Sequence, residues 1–319
     1  MRMNLLLVTF ASLLLSVSSC TKDPIITDPT PGKEKPTEPT KPIDPSKPEP
    51  GKPGDFSNMP KEQADYYKTV DFKKTGMALK EDLTKLTTDT HKRFLSYGDI
   101  WEASKATDVV SVGSNEVYLL YGHEGVTSGK TAYTRNKNNH GGNEGQWNRE
   151  HTYAKSLGTP NLQETGPGSD AHHLRPADVK WNSERGNLPF IAGSGVSKAI
   201  AKGWYPGDEW KGDVARMMMY MYVRYGDRCI PKYDASGNKG IGSGVVIGTA
   251  NKIDPKMVEL LLEWNEQDPV SEFEKRRNEY HGNRSNKYAQ GNRNPFIDNP
   301  YLATQIWGGT KPAENTWKK

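Results

Sequence analysis

Cysteine is almost missing from this chain. Two cysteines in 319 residues, Cys20 and Cys229, exclude a disulfide framework and any cysteine-rich zinc site. Long apolar runs are scarce as well. The longest, Leu5 to Val17, covers about 13 residues, too short to cross a bilayer as a helix. Behind the basic Arg2 it suits an export signal instead. Neither charge sign dominates: 43 Lys plus Arg stand against 39 Asp plus Glu, which excludes a highly charged tail protein. Hydrophobic residues make up 34% and mean hydropathy is −0.83, which excludes a multi-pass membrane protein and points to a segment with no core of its own.

That segment follows the apolar run. Ten of the 22 prolines fall between Asp23 and Gly54, spaced by Lys, Glu, Asp and Thr. Such a stretch cannot bury enough surface to offset its ordering entropy, and repeated proline biases it to an extended spacer. The junction before it, "VSSC", resembles the lipobox of bacterial lipoproteins, which implies a lipid on Cys20. Thr21, where an aspartate is associated with inner-membrane retention, favours the outer membrane. The expected order is signal peptide over residues 1–20, proline-rich tether over 21–59, one domain over 60–310 and a short tail over 311–319.

The domain reads as α+β and mainly helical. Leu79, Leu83 and Leu86 lie at helical spacing between Gly76 and Phe94, after a short amphipathic stretch from Lys61 to Lys68. Glu116 to Gly122, "EVYLLYG", reads as a strand. Asp208 to Asp227 is the strongest helix, with Val214, Met217, Met218, Met221 and Tyr225 as its buried stripe and Asp208 as its cap. The methionine run is read as adaptable core. A loop is expected over Asp234 to Gly244, and a helix over Asp254 to Pro269 followed by a charged one. Cys229 is expected to be a buried packing residue.

Three of the seven histidines, His151, His172 and His173, fall within 23 residues. A zinc protease reading fails because "HEGVT" at His123 lacks the second histidine one helical turn on. Two readings stay open on the residues alone: polar groups satisfying one another in a loop, or Glu150 and His151 as neighbours with different tasks at a kinked strand end.

Three motifs, "WNREH" (147–151), "DAHHLRPAD" (170–178) and "NSERGNLPF" (182–190), in this order and spacing, resemble the bacterial endonuclease I family. The likeness extends through "YYKTVDFKKTGMALKEDL", "YGDIWEASKATDV", "KGDVARMMMYM", "DPVSEFEKRRNE" and "GNRNPFIDNP", over about Pro60 to Gly308. It implies a ββα-metal (His-Me) finger inside a single helical domain, and nonspecific hydrolysis of DNA, with RNA as a second substrate, to give 5′-phosphate ends. His151 would be the general base. Glu150 and Asn187, the latter on the finger helix, would hold one divalent ion, Mg²⁺ with Ca²⁺ or Mn²⁺ as alternatives. His172, in the second finger strand, would orient the finger or contact phosphate, and His173 is an alternative tautomer holder for His151. Asp170, Asp178, Asn182 and Glu184 are expected to bond backbone around the finger.

In one respect the chain departs from the family pattern. Relatives carry a phosphate-holding arginine between the base histidine and the second strand, whereas Thr152 to Ser169 contains none, only Lys155. Lys155, Arg175 and Arg185 are the candidates to replace it. Arg149 joins Arg175 and His172 as substrate contacts, since duplex binding rests largely on phosphate. The "KRR" run from Lys275 to Arg277 reads as a solvated helix face, and the asparagine-rich Gly291 to Pro300 as a structural brace. No base-reading module is visible, so little sequence preference is expected. The expectation is therefore a monomeric, lipid-anchored, exported nuclease. Its rival is a noncatalytic nucleic-acid- or matrix-binding lipoprotein on the same scaffold.

Overall fold

A computed structural model describes residues 51–229 and 259–319. In chain order the elements are α1 (Lys61–Tyr67), α2 (Gly76–Thr90), α3 (Asp99–Thr107), β1 (Glu116–Tyr118), β2 (Thr134–Asn136), β3 (Trp147–His151), β4 (Leu174–Asp178), α4 (Val179–Arg185), β5 (Lys198–Ile200), β6 (Gly203–Tyr205), α5 (Lys211–Tyr225), α6 (Glu259–Gln267), α7 (Glu272–Gly282), α8 (Pro295–Asp298) and α9 (Tyr301–Trp307). The fold is mixed and mainly helical. Its described strands form three separate antiparallel pairs, β1–β2, β3–β4 and β5–β6.

Helix α5 is the axis of the core. Every residue from Gly212 to Val223 is buried, so this helix is enclosed on all sides rather than amphipathic. Met217, Met218, Met219 and Met221 pack with Leu79 and Leu83 of α2, Leu261 of α6 and Leu302 of α9, which gives the methionine run a core role. Asp208 does not cap α5. Its carboxylate is spent on the Gly195 amide and the Tyr205 hydroxyl, and the helix begins at Lys211 after Trp210.

The packed region is longer at both ends than sequence suggests. Gly51 donates to the Thr304 carbonyl at 3.0 Å and Asn58 to that of Trp317 at 2.8 Å. Phe56 meets Phe72 and Trp317 edge to face at 5.0 and 5.2 Å. Residues 51–59 thus belong to the domain, not the tether, and the expected tail contains a buried Trp317 that closes the same aromatic cluster. The apolar Phe56 and Trp317, isolated in polar text, are the local sign of this packing. Expectations for residues 1–50, the loop at 234–244 and the helix start at Asp254 lie outside the described residues.

Candidate active site

Strand β3 pairs with β4 from Trp147↔Asp178 to His151↔Leu174, and α4 follows β4 without a gap. Asp178 makes that junction. Its Oδ1 accepts the Lys180 and Trp181 amides, capping α4, while Oδ2 accepts from Arg135 at 2.7 Å. Gly186 ends α4 with φ 53°, a left-handed conformation that favours glycine, and the turn leaves Asn187 past the helix rather than on it. β3, the segment after it and this turn together line a cavity of about 280 Å³. Glu150, His151, Lys155, Asn187, Arg149 and Arg185 all contribute to its wall.

Glu150 is 2% exposed, and Oε1 accepts from the Tyr121 hydroxyl at 2.9 Å while facing Arg185 Nη1 at 3.2 Å. Burial raises its carboxyl above the ordinary range, against the opposing pull of Arg185 and Tyr121. Tyr121 has φ 71°, an unfavourable conformation for a bulky residue. This turn ends the expected Glu116 to Gly122 strand early, at Tyr118, and the hydroxyl of the same residue reaches Glu150. The apolar "LLYG" context concealed that role from a reading of sequence.

His151 Nε2 lies 2.9 Å from the Gly168 carbonyl. An N–H there leaves the imidazole lone pair on Nδ1. Burial, then the neighbouring His173, hold this histidine well below its ordinary pKa, so the ring is neutral at pH 7. Its face stacks on Tyr97 at 5.4 Å and 27°. The tautomer partner is therefore a backbone carbonyl and not His173, whose own Nε2 bonds the Pro167 carbonyl at 2.8 Å. Asn187 is exposed and donates to Ser156 Oγ at 3.2 Å.

The expected phosphate contacts divide sharply. Arg175 is 1% exposed and faces the interior, paired with Asp108 at 2.6 Å and Asp213 at 2.9 Å, so it cannot contact substrate. His172 is likewise buried before β4 rather than within it, bonded to the Asn292 carbonyl. Arg185 lines the cavity but is 1% exposed, and it donates to the carbonyls of His151, Thr152 and Gly186. It positions the end of β3 and is not free to follow a phosphate. Arg149 is clamped between Tyr97 and Trp101, 3.5 and 3.9 Å from the ring centroids. Lys155 alone among these cations combines partial exposure with a solvent-facing ion pair, to Glu164 at 3.0 Å.

Elsewhere, Arg277 of the "KRR" run is buried on the Leu174 carbonyl, whereas Lys275 pairs with Glu272 on the surface. Glu184 pairs with Lys130 instead of backbone. Asn292, Asn294 and Asn299 are buried braces, as their sequence context suggests.

A family model for Endonuclease I matches residues 75–301, most of the chain and all of the cavity wall. The chain belongs to the endonuclease I family. It is a nuclease, of the His-Me finger kind, and so a hydrolase. Two relatives carry the name extracellular ribonuclease. The one from Bacillus subtilis (strain 168) is 45% identical over 242 residues, 73% of this chain and 75% of the relative. The one from Bacillus amyloliquefaciens is 42% identical over 249 residues, 76% and 78% of the two chains. For an endonuclease I member the cavity asks for a metal. Among the described residues no group of three or more His, Cys, Asp or Glu side chains converges. The oxygen donors on the cavity wall are instead the Glu150 carboxylate, the side-chain amides of Asn161, Asn182 and Asn187 and the Ser156 hydroxyl, a hard set that suits an ion keeping most of its waters. A buried Glu150 whose two close contacts both fall on Oε1 fits that need, because a cation would offset the burial of its charge.

Proposed function

We propose that this nuclease is an exported, monomeric endonuclease that hydrolyses DNA and RNA with little sequence preference, using His151 as general base and one divalent ion. The observation that carries the reading is the shared cavity of Glu150, His151 and Asn187, with the His151 Nε2 side bonded to the Gly168 carbonyl. Water attacks phosphorus while His151 Nδ1 takes its proton, and the bond from phosphorus to the 3′ oxygen breaks. The 3′ oxygen leaves as a hydroxyl after taking up a proton, and the phosphate stays on the 5′ end. Neutral His151 is the form this step requires.

Glu150 and Asn187 would hold Mg²⁺, with Ca²⁺ or Mn²⁺ suited to the same oxygens. When bound, the ion offsets charge gathering on the phosphate and the departing oxygen. Arg185 keeps Glu150 and the His151 carbonyl in register. Lys155 supplies the phosphate contact for which the chain has no arginine. RNA enters the reading through the ribonuclease names of the two relatives, and export through the word extracellular in both. Cys20 would carry a lipid that anchors the tether to the outer membrane.

The test uses purified protein with supercoiled plasmid and a defined RNA, in Mg²⁺ or EDTA, beside His151→Ala and Asn187→Ala. Nicking that needs the metal and falls about 10²–10⁴-fold in His151→Ala is the expected result. Binding without cleavage across several divalent ions would defeat the enzyme mechanism and favour a noncatalytic binding protein.

A further inference from the structure

The loop between α2 and α3 carries an aromatic ring that the mechanism leaves without a use. Phe94 is 67% exposed. Isolated exposed apolar side chains are ordinary, and exposure alone would mean nothing. The ring is nevertheless held in a defined plane. It stacks on His91 with centroids 4.6 Å apart and planes at 20°, and His91 is itself buried. Among the described residues Phe94 has no second ring contact, so one face is backed and the other has no aromatic neighbour.

The backbone beneath it is pinned. The Lys92 and Arg93 amides both donate to the Gln290 carbonyl, at 2.9 and 3.1 Å. The Arg93 guanidinium donates to the carbonyls of Asn286, Lys287 and Ala289 at 2.6, 2.8 and 3.0 Å. An aromatic ring fixed before binding loses little freedom on taking a ligand.

The same loop leads into the active site. Tyr97, three residues on, stacks on His151 at 5.4 Å and lies against Arg149. Three residues span at most about 11 Å, so the Phe94 backbone stays within that distance of Tyr97, which itself stacks on His151 of the cavity wall. Lys92, two residues before Phe94, is exposed and adds positive charge to the same loop.

We propose that Phe94, backed by His91, is a stacking platform for an unpaired nucleobase flanking the cleaved phosphate, so that the nuclease favours single strands over duplex. This rests on the nuclease mechanism proposed above and adds a substrate class to it. A base inside a duplex already stacks on its neighbours, while in a single strand its face is available. Stacking on an aromatic ring is tolerant of sequence, in keeping with a nuclease that reads none.

Binding is measured in the His151→Ala background, in full-length protein, by anisotropy of a labelled single-stranded oligonucleotide and of its duplex. Phe94→Ala is expected to weaken single-strand binding about tenfold and duplex binding by less than about twofold, with Phe94→Trp retaining the affinity. An abasic site at the flanking position should erase the difference between Phe94 and its alanine variant. Equal losses on strand and duplex, or a loss that survives the abasic site, would overturn the platform. Cleavage by the protein with His151 intact is scored separately. No cleavage alongside the single-strand penalty defeats the nuclease mechanism and keeps the platform, while cleavage without the penalty does the reverse.

Discussion

On β3, Glu150 and His151 line a cavity, whereas on β4, opposite them, Arg175 turns inward to Asp108 and Asp213. Both regions are rich in histidine, arginine and carboxylate, and composition does not separate them. Hydrogen-bond partners do. Behind β4, Asp170 accepts from Tyr220, Tyr225 and Gln290 at 2.7, 2.7 and 3.0 Å and from the His172 amide at 2.8 Å. Burial alone would raise the Asp170 carboxyl, but His91, His172, His173 and Tyr220 hold it below its ordinary value. Charges so buried and paired fix a geometry and lie out of a ligand's reach. In the cavity the engaged groups, Arg185 and Tyr121, hold Glu150 and the backbone of His151 in position.

The comparison would break first at Arg175. Removing one partner of a buried ion network leaves uncompensated charge, at a cost of about 3–5 kcal/mol. Arg175→Ala should therefore lower stability in urea by roughly that amount, while folded variant keeps a KM near that of the parent protein. Unchanged stability with a raised KM would mean that Arg175 contacts substrate after all. A smaller effect should come from pH. His172 and His173 are held at about 4, by burial first, against an ordinary 6.5. Between those values the unfolded chain takes up protons that the fold refuses. Stability is thus complete above pH 6.5 and falls as pH drops toward 4. The pair should cost about 2–3 kcal/mol between pH 7 and 5.5, read by denaturant titration. A flat profile would mean that these histidines charge freely and do not belong to a closed layer.

Much of this division was legible in the sequence, and the parts that were not share one cause. That Glu150, His151 and Asn187 share one cavity wall is legible because the three finger motifs fix their order, and α5 is legible because its apolar stripe is long. Arg175 and His172 look like substrate contacts in sequence because polar residues beside a catalytic motif look alike until the facing elements are known. Asp108 and Asp213, which hold Arg175 inward, lie 67 and 38 residues away. Tyr121 was lost in an apolar run, since nothing local signals that its φ becomes positive. Residues 51–59 resemble the tether in sequence because their partners, Thr304 and Trp317, lie at the far end of the chain. Sequence pattern reports local period well and distant partners poorly.

The smallest expected effect tests the cavity side. Lys155 and Glu164 are 33% and 56% exposed, and such a pair contributes at most about 1 kcal/mol to stability, so neither substitution should move the unfolding midpoint much. Their effect should be on substrate. Lys155→Ala removes the cation and leaves Glu164 to repel phosphate, raising KM about three- to tenfold at low salt and less as salt screens the charge. Adding Glu164→Gln should recover part of that loss, because only the repulsion is then removed. Glu164→Gln alone should lower KM slightly, since phosphate no longer competes with a carboxylate for the ammonium. If instead Lys155→Ala leaves KM and its salt dependence unchanged, the phosphate contact must come from Arg149. That would require the guanidinium to leave Tyr97 and Trp101, and a Tyr97→Ala variant that frees it should then bind substrate more tightly.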